Sequence, residues 1–496
     1  MSDASWTGRR VTVMGLGLFG GGAGAARWAL ARGAEVTVTD LREMEVLRDS
    51  VEALRTSPGA ERLRFALGGH VEEDFAGADV VVANPGVRPD AHWLQVARGA
   101  GAEVTTATRL LLETLCARVV AITGTNGKSS TARFTRDLVA ASLGDGARVE
   151  LGGNIGGSLL DGAEDLGPDD VVVLELSSYQ LEHLAATASR GAVRADVVAI
   201  TNVGIDHLER HGTVEAYRDA KLSILDLVAR DGGTAIVPAG DLEERAKARL
   251  GRRCIAHGDG GDVSQGSDGH VLGDARSGSP VDLGDATALL VPGAFQRDNL
   301  AVALAAVRAL GGDLDQAAAA ISTLRGLPHR LESLGVFHLP RVGHPIEVVD
   351  NGVSTTPEST LAALDAVAEG PAASAGGLLV AGGRAKGGQD DGALAARIAQ
   401  TGWTLVPFGD AADALARRAM ERGAAVVPQG ADGWPRTVEE AAEAALRAAE
   451  RSEASLVLFS PACASFDRYP NFEARALAFR EAVQTLAGQS RLDRTN

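Results

Sequence analysis

The sequence predicts an α/β protein of three successive domains, and three observations lead there. Short β-branched runs ending in Gly, Asn, Asp or Ser recur along the chain, separated by alanine-rich helical stretches, which is the pattern of parallel βαβ units. The 496 residues, 45% hydrophobic and 23% charged, divide into about three domains at ~150 residues each. Sixty-one glycines without a triplet repeat and only 4% aromatic residues suit helices lying close on sheets, and exclude collagen-like and disordered classes.

The first series opens with the strand-like VTVMGLG (11–17), a helix to about Arg32, then EVTVTD (35–40) and DVVVANPG (79–86), which close a unit near residue 112. A second series starts at RVVAITGTNGKSS (118–130) and continues through DVVVLELSS (170–178), DVVAITNVGIDH (196–207) and GTAIVPA (233–239) to GLPHR (326–330). Residues 257–280, rich in Gly, Asp and Ser without helical periodicity, read as a loop or a small antiparallel excursion. The third series has IEVVDNG (346–352), LLVAGG (378–383), TLVPFG (404–409) and LVLFSP (456–461), with helical candidates such as 437–450 between them. The expected domains are 1–112, 113–327 and 328–496. In parallel sheets of this kind, functional groups sit at the C-terminal ends of strands.

Forty-eight basic against 65 acidic residues give a net charge of −17, which argues against a nucleic-acid partner. Cys116, Cys254 and Cys463 are too scattered for a disulfide framework or a CxxC metal site, and read as buried reduced thiols. No apolar run approaches a membrane span, and the start MSDASWTGRR has no apolar signal core. A cytoplasmic protein is expected.

GTNGKSS (124–130) sits between the apolar strand VVAIT and a helix-like stretch, the context that a phosphate loop requires. Backbone amides from Gly124, Thr125, Asn126 and Gly127 into the helix start would face phosphates. Lys128 would neutralise them, and a hydroxyl of Ser129 or Ser130 would reach Mg2+. ATP is therefore the first ligand inferred. GLGLFGGGAG (15–24), also between strand and helix and followed by Asp40, reads alone as a dinucleotide fingerprint of a Rossmann-like domain. It leaves open a nicotinamide oxidoreductase, a nucleotide diphosphate on the helix N-terminus, or close packing alone. Glu175 ends a continuous apolar strand, where a carboxylate is costly unless it meets a cation or a donor. His207 after the next strand and Lys221 on the helix-like AYRDAKLSIL would each pass for an ordinary loop or surface residue if taken singly.

Taken together, GTNGKSS, LELSSYQLE, NVGIDHL, YRDAKLSIL, GLPHRLE and SPACASFDRYPNFEAR resemble the Mur ligases of peptidoglycan synthesis, from the first glycine turn to the last helix. GLPHRLE and SPACASFD point to the glutamate-adding branch. The resemblance implies a Rossmann-like first domain for UDP, a central P-loop ATPase-like domain and a Rossmann-like third domain. It implies ATP-dependent amide formation through an acyl phosphate, joining D-glutamate to UDP-N-acetylmuramoyl-L-alanine in the cytoplasm, as part of cell-wall building, cell shape and cell division. It also implies that Lys128 and two Mg2+ ions screen the meeting anions. Ser129 and Glu175 would hold one ion, and His207 would help with the other. Lys221 matches the lysine the family carries as a carbamate, N6-carboxylysine. Gly15, Gly17, Leu18, Phe19, Gly20, Asp40, Arg42 and the turn Asn84, Pro85, Gly86 match the UDP pocket, and Asn154 the sugar–peptide segment. Asn299 matches the asparagine near adenine, and Arg330 the arginine on the nucleotide phosphates. Asp350 or Asn351 would contact ribose. Thr355, Lys386, Ser465 and Phe472 match the glutamate pocket. Closure of the third domain about hinges near 112 and 327, in a monomer, would bring Arg330 and Lys386 onto substrate.

Three segments depart from the family pattern. GxHNxxN reads GAFQRDN, with Phe295 and Gln296 at the His and Asn places; NDSKxT reads DNGVSTT, with Val353 at the lysine; Phe19 replaces a smaller polar residue. A ligase for L-glutamate or another amino acid, and a non-catalytic nucleotide-binding protein, are the remaining alternatives.

Overall fold

The computed structural model describes the chain except residues 1–5, 18–20, 145, 156, 189–192, 205, 230, 277–278, 290, 292, 339–343, 369–375, 386–390, 432, 488–490 and 493–496. The first sheet is built of β1 (Arg10–Met14), β2 (Glu35–Asp40), β3 (Leu63–Leu67), β4 (Val80–Ala83) and β5 (Glu103–Thr105), all parallel in the order β3-β2-β1-β4-β5. The order reverses between β1 and β4, where a doubly wound sheet opens its ligand crevice. Helix Gly21–Ala31 returns over β1 through small residues. A Cβ on Gly22 would lie 2.4 Å from Gly15 O, so a side chain there would push the helix off the turn.

The second sheet holds β6 (Arg118–Thr123), β7 (Val149–Gly153), β8 (Val171–Glu175), β9 (Val197–Ile200), β10 (Thr234–Pro238) and β11 (Cys254–His257), parallel in the order β11-β10-β9-β6-β8-β7. Its central strands are buried on both faces, as the unbroken Val/Ile/Ala runs predict. Residues 257–280 contribute to a small antiparallel sheet of β12 (Ser264–Gln265), β13 (His270–Gly273) and β14 (Val281–Asp285), the expected excursion. One continuous apolar cluster, from Trp6 through Val119 and Val198 to Cys254, serves the first two large sheets.

The last sheet comprises β15 (Glu332–Phe337), β16 (Ile346–Asp350), β17 (Gly377–Gly382), β18 (Thr404–Phe408), β19 (Ala425–Val426), β20 (Leu456–Ala462) and β21 (Arg491–Leu492), in the order β19-β18-β17-β20-β16-β15-β21. It is parallel from β19 to β16, and β15 and β21 run antiparallel at one edge. Separate apolar clusters cover its two faces. Cys254 and Cys463 are buried as expected, whereas Cys116, in the link between helix Ala107–Thr114 and β6, is exposed. Three α/β domains thus follow one another, grouped in two compact units: Met1–Ala288 with Asp298–Ser322, and Leu289–Arg297 with Thr323–Asn496.

Candidate active site

β6 delivers the chain into the turn 124–127, and helix Lys128–Ser142 leaves it. Gly127 caps that helix in the left-handed region at φ 78°, where a Cβ would sit 2.3 Å from Asn299 Oδ1. Asn299 is buried, and its Oδ1 also accepts the Thr131 hydroxyl at 3.2 Å. This asparagine therefore packs on the phosphate loop itself. The segment after β9 shapes the loop from the other side. Asn202 Oδ1 accepts the Asn126 amide at 2.9 Å, Thr201 Oγ1 donates to Asn126 O at 2.6 Å, and Asn202 O accepts the Thr125 amide at 2.9 Å. Thr125 Oγ1 lies 3.0 Å from the buried Tyr217 hydroxyl and accepts the Gly204 amide at 2.9 Å. Lys128 Nζ donates to Thr125 O at 2.7 Å. Ser129 and Ser130 open the helix beside it, where amides and the helix dipole favour an anion.

Glu175 ends β8 opposite Ile122 of β6, so its carboxylate lies next to the loop's entry. It is 1% exposed; Oε1 accepts Asn154 Nδ2 at 3.2 Å, while the buried Oε2 has no hydrogen-bond partner. An orphan carboxylate oxygen is costly and fits a hard cation such as Mg2+. Lys221 lies on helix Val214–Leu222, 2% exposed, its Nζ 4.8 Å from the Tyr217 ring centroid one turn earlier. Burial, reinforced by the Lys128 cation, pushes its ammonium down to about 7 against the opposing pull of Asp206 and Glu175.

His207 has a left-handed backbone, φ 50°, just before helix Leu208–His211. Its Nδ1 is 3.3 Å from both the Tyr179 hydroxyl and Glu209 Oε1, and its Nε2 is 3.5 Å from Asp206 Oδ2. Among the described residues no three His, Cys, Asp or Glu side chains form a ready metal cage. Ser129, at the start of helix Lys128–Ser142, and Glu175, at the end of β8, are both oxygen donors of the kind that a hard cation takes.

In the first sheet, Asp40 Oδ2 accepts the Gly17 amide at 3.2 Å and Oδ1 accepts the Arg42 amide at 3.0 Å. Asn84 Nδ2 reaches Gly15 O at 3.5 Å, and its Oδ1 accepts the Gly86 amide at 2.9 Å. The turns after β1, β2 and β4 are thereby knit around the crevice. Leu18, Phe19 and Gly20 lie outside the described residues, as does Lys386.

In the last domain Arg330 is exposed, between two residues in the left-handed region, His329 at φ 61° and Leu331 at φ 48°. Asp350, the residue expected with Asn351 to contact ribose, ends β16. It is 0% exposed, with Oδ2 accepting His329 Nδ1 at 2.8 Å and Arg480 Nε at 2.6 Å, and Oδ1 accepting the Gly352 amide at 2.8 Å. Asn351 is likewise spent internally, on Leu331 N, Ser354 and Ser460. Thr355 follows on the same loop, half-buried. Ser465 is buried just past β20, and Phe472 opens helix Phe472–Ala487.

The chain matches the Mur ligase middle domain over residues 122–307 and the Mur ligase MurD-like N-terminal domain over residues 9–106. It is 33% identical to UDP-N-acetylmuramoylalanine--D-glutamate ligase of Geobacter metallireducens, over 97% of this chain and 98% of the relative. It is 36% identical to the protein of that name from Phenylobacterium zucineum, over 98% of each. The chain belongs to the Mur ligase family. A crystal structure of MurF from Acinetobacter baumannii superposes with a TM-score of 0.58 at 16% identity, covering 95% of this chain and 93% of that one, which speaks for the fold. The N-terminal match includes the first glycine turn, so in this Mur ligase GLGLFGGGAG does not make a redox enzyme. Sequence reasoning missed Tyr217, Tyr179, Thr201 and Asn202. Tyr217 left a faint signal, four residues before Lys221 on one helix face. No helix among the described residues is long and apolar enough to cross a membrane.

Proposed function

We propose that this Mur ligase joins D-glutamate to UDP-N-acetylmuramoyl-L-alanine, with ATP converted to ADP and phosphate. The observation that carries the reading is the buried set beside the phosphate loop: Glu175 with one oxygen unpartnered, and Lys221 with its ammonium pushed down to about 7 near Lys128. Such a set is expensive to fold and is matched by a bound cation and phosphates. The full-length relatives from Geobacter metallireducens and Phenylobacterium zucineum support the choice of substrates by their names.

In this reading, the amides of residues 124–130 and Lys128 hold the ATP phosphates in line with the alanyl carboxylate. Carboxylate oxygen attacks the γ-phosphorus, the bond to the ADP oxygen breaks, and an acyl phosphate forms. The neutral amine of glutamate then attacks the acyl carbon, phosphate leaves, and the amine gives up a proton. Two bound Mg2+ ions would neutralise charge on the transferring phosphoryl group. Ser129 and Glu175 would hold one ion, and His207 and Lys221 the other. The lowered Lys221 supports its carbamate: neutral Nζ adds carbon dioxide and releases a proton, replacing a buried cation with an anion among metal donors. Gly15, Gly17, Asp40, Arg42, Asn84 to Gly86 and Asn154 would bind the UDP-sugar. Asn299 and Arg330 would serve ATP, and Thr355, Lys386, Ser465 and Phe472 the glutamate. The reaction would run in the cytoplasm, by a monomer.

Val353, in place of the family's lysine beside the amino-acid pocket, makes L-glutamate the second reading. The test is phosphate release from ATP with Mg2+ and UDP-N-acetylmuramoyl-L-alanine, in parallel with D-glutamate, L-glutamate and no amino acid. Release that requires D-glutamate is expected. Release only with L-glutamate would keep the mechanism and change the product, and silence from folded, ATP-binding protein would make it a non-catalytic binder.

A further inference from the structure

Arg210 has no place in the reaction above, yet every arm of its guanidinium is committed. Its side chain is 6% exposed and pairs with Glu182, Nη2 to Oε2 at 2.8 Å and Nε to Oε2 at 2.9 Å. Nη1 donates to Gly86 O at 2.9 Å, and Nη2 donates to Val87 O at 3.0 Å and to Pro85 O at 3.4 Å. Three consecutive carbonyls of the turn after β4 thus rest on one side chain from the second sheet's domain.

Two further contacts hold the same turn. His183 Nε2 donates to Val87 O at 2.7 Å, its imidazole kept toward the neutral form by burial, and Arg88 Nη1 donates to Arg210 O at 3.0 Å. In the other direction, the guanidinium carbon lies 4.7 Å from the Tyr179 ring centroid, and the Tyr179 hydroxyl is 3.3 Å from His207 Nδ1. A continuous row therefore runs from Asn84–Pro85–Gly86 through Arg210 and Tyr179 to His207. The planar fork of arginine is what permits it: five N–H donors answer three carbonyls and a carboxylate, while its face stacks on the phenol.

We infer that Arg210 is a positioning residue that sets the UDP-binding turn at a fixed span from the phosphate-transfer centre. The inference rests on the UDP-sugar reading of the first crevice. A substrate anchored by its uridine diphosphate in one sheet and reacting at the end of another tolerates little slack, since about 1 Å of misplacement costs roughly 100-fold in rate. Lysine at this position retains the charge but supplies a point donor instead of a fork.

The test compares wild type, Arg210→Lys and Glu182→Gln by calorimetric titration with UDP-N-acetylmuramoyl-L-alanine and, separately, with ADP and Mg2+. Wild type should bind both. Arg210→Lys should bind the UDP-sugar at least tenfold more weakly with ADP affinity within twofold, and Glu182→Gln should show a smaller loss of the same sign. In turnover, the KM for the UDP-sugar should rise in Arg210→Lys while those for ATP and glutamate hold. Unchanged UDP-sugar affinity in Arg210→Lys overturns the inference alone, and equal loss of both ligands overturns it in favour of a merely structural arginine. Wild type that binds ADP but no UDP-sugar overturns the substrate reading and the inference with it.

Discussion

Lys128 Nζ bonds back to the carbonyl of Thr125 at 2.7 Å, so the ammonium is held over the mouth of its own loop. Replacing that contact with a phosphate exchanges a neutral acceptor for an anion, and charge-assisted bonds are roughly twice as strong. Lys128→Ala is expected to lower turnover about 1,000-fold, read as phosphate release in a single turnover, with UDP-sugar affinity preserved. Full turnover in this variant would remove the phosphate-loop assignment.

Glu175 should separate stability from activity. Its Oε2 is buried without a donor, and a neutral amide is cheaper to bury than a carboxylate. Glu175→Gln is expected to keep or raise the melting temperature while phosphate release drops about 100-fold or more and no longer responds to added Mg2+. A melting temperature several degrees lower would mean that the carboxylate serves the fold.

Lys221 offers a spectroscopic check. With 13C-labelled bicarbonate, wild type should show a protein-bound carbamate carbon signal that Lys221→Met lacks, and the variant should lose turnover without losing melting temperature. The same signal persisting in Lys221→Met would place the carbamate on another lysine.

His257 predicts a pH dependence of stability. It is buried at the end of β11 with Nε2 donating to Ile200 O at 2.9 Å, and burial lowers its pKa below 6.5. The unfolded chain binds a proton near 6.5 that the folded chain refuses, so stability is complete above that pH and falls as the pH drops below it. The loss from this group is up to about 1.4 kcal/mol per pH unit. Urea midpoints at pH 8, 6.5 and 5.5 should fall less steeply for His257→Gln than for wild type; parallel curves would rule the histidine out.

The strands that were legible are those buried on both faces, such as VVVLE and VVAI, whose side chains need no alternation. Those that were not are short or half-exposed: LRFAL of β3 shows no fully buried residue, and VELGG of β7 mixes a charge with glycines. At the site, Lys128, Glu175, Asp40 and Asn84 were readable because each stands at or just past a parallel strand's C-terminal end. Tyr217 meets Thr125 across 92 residues, and Asn202 meets Asn126 across 76, so only the folded chain brings them together. Asp350 concealed its surroundings in the sequence for a related reason. Its partners His329 and Arg480 come from either side of it in sequence and turn it inward.

The chain has only three tyrosines: Tyr217 meets the phosphate loop at Thr125, Tyr179 meets His207, and Tyr469 bonds to Glu439 and Val438 N in the last domain. Biosynthetic fluorotyrosine would therefore give a sparse fluorine spectrum of three resonances. Two resonances would report ligand arrival where the chemistry is set up, against a third that answers to a different neighbourhood.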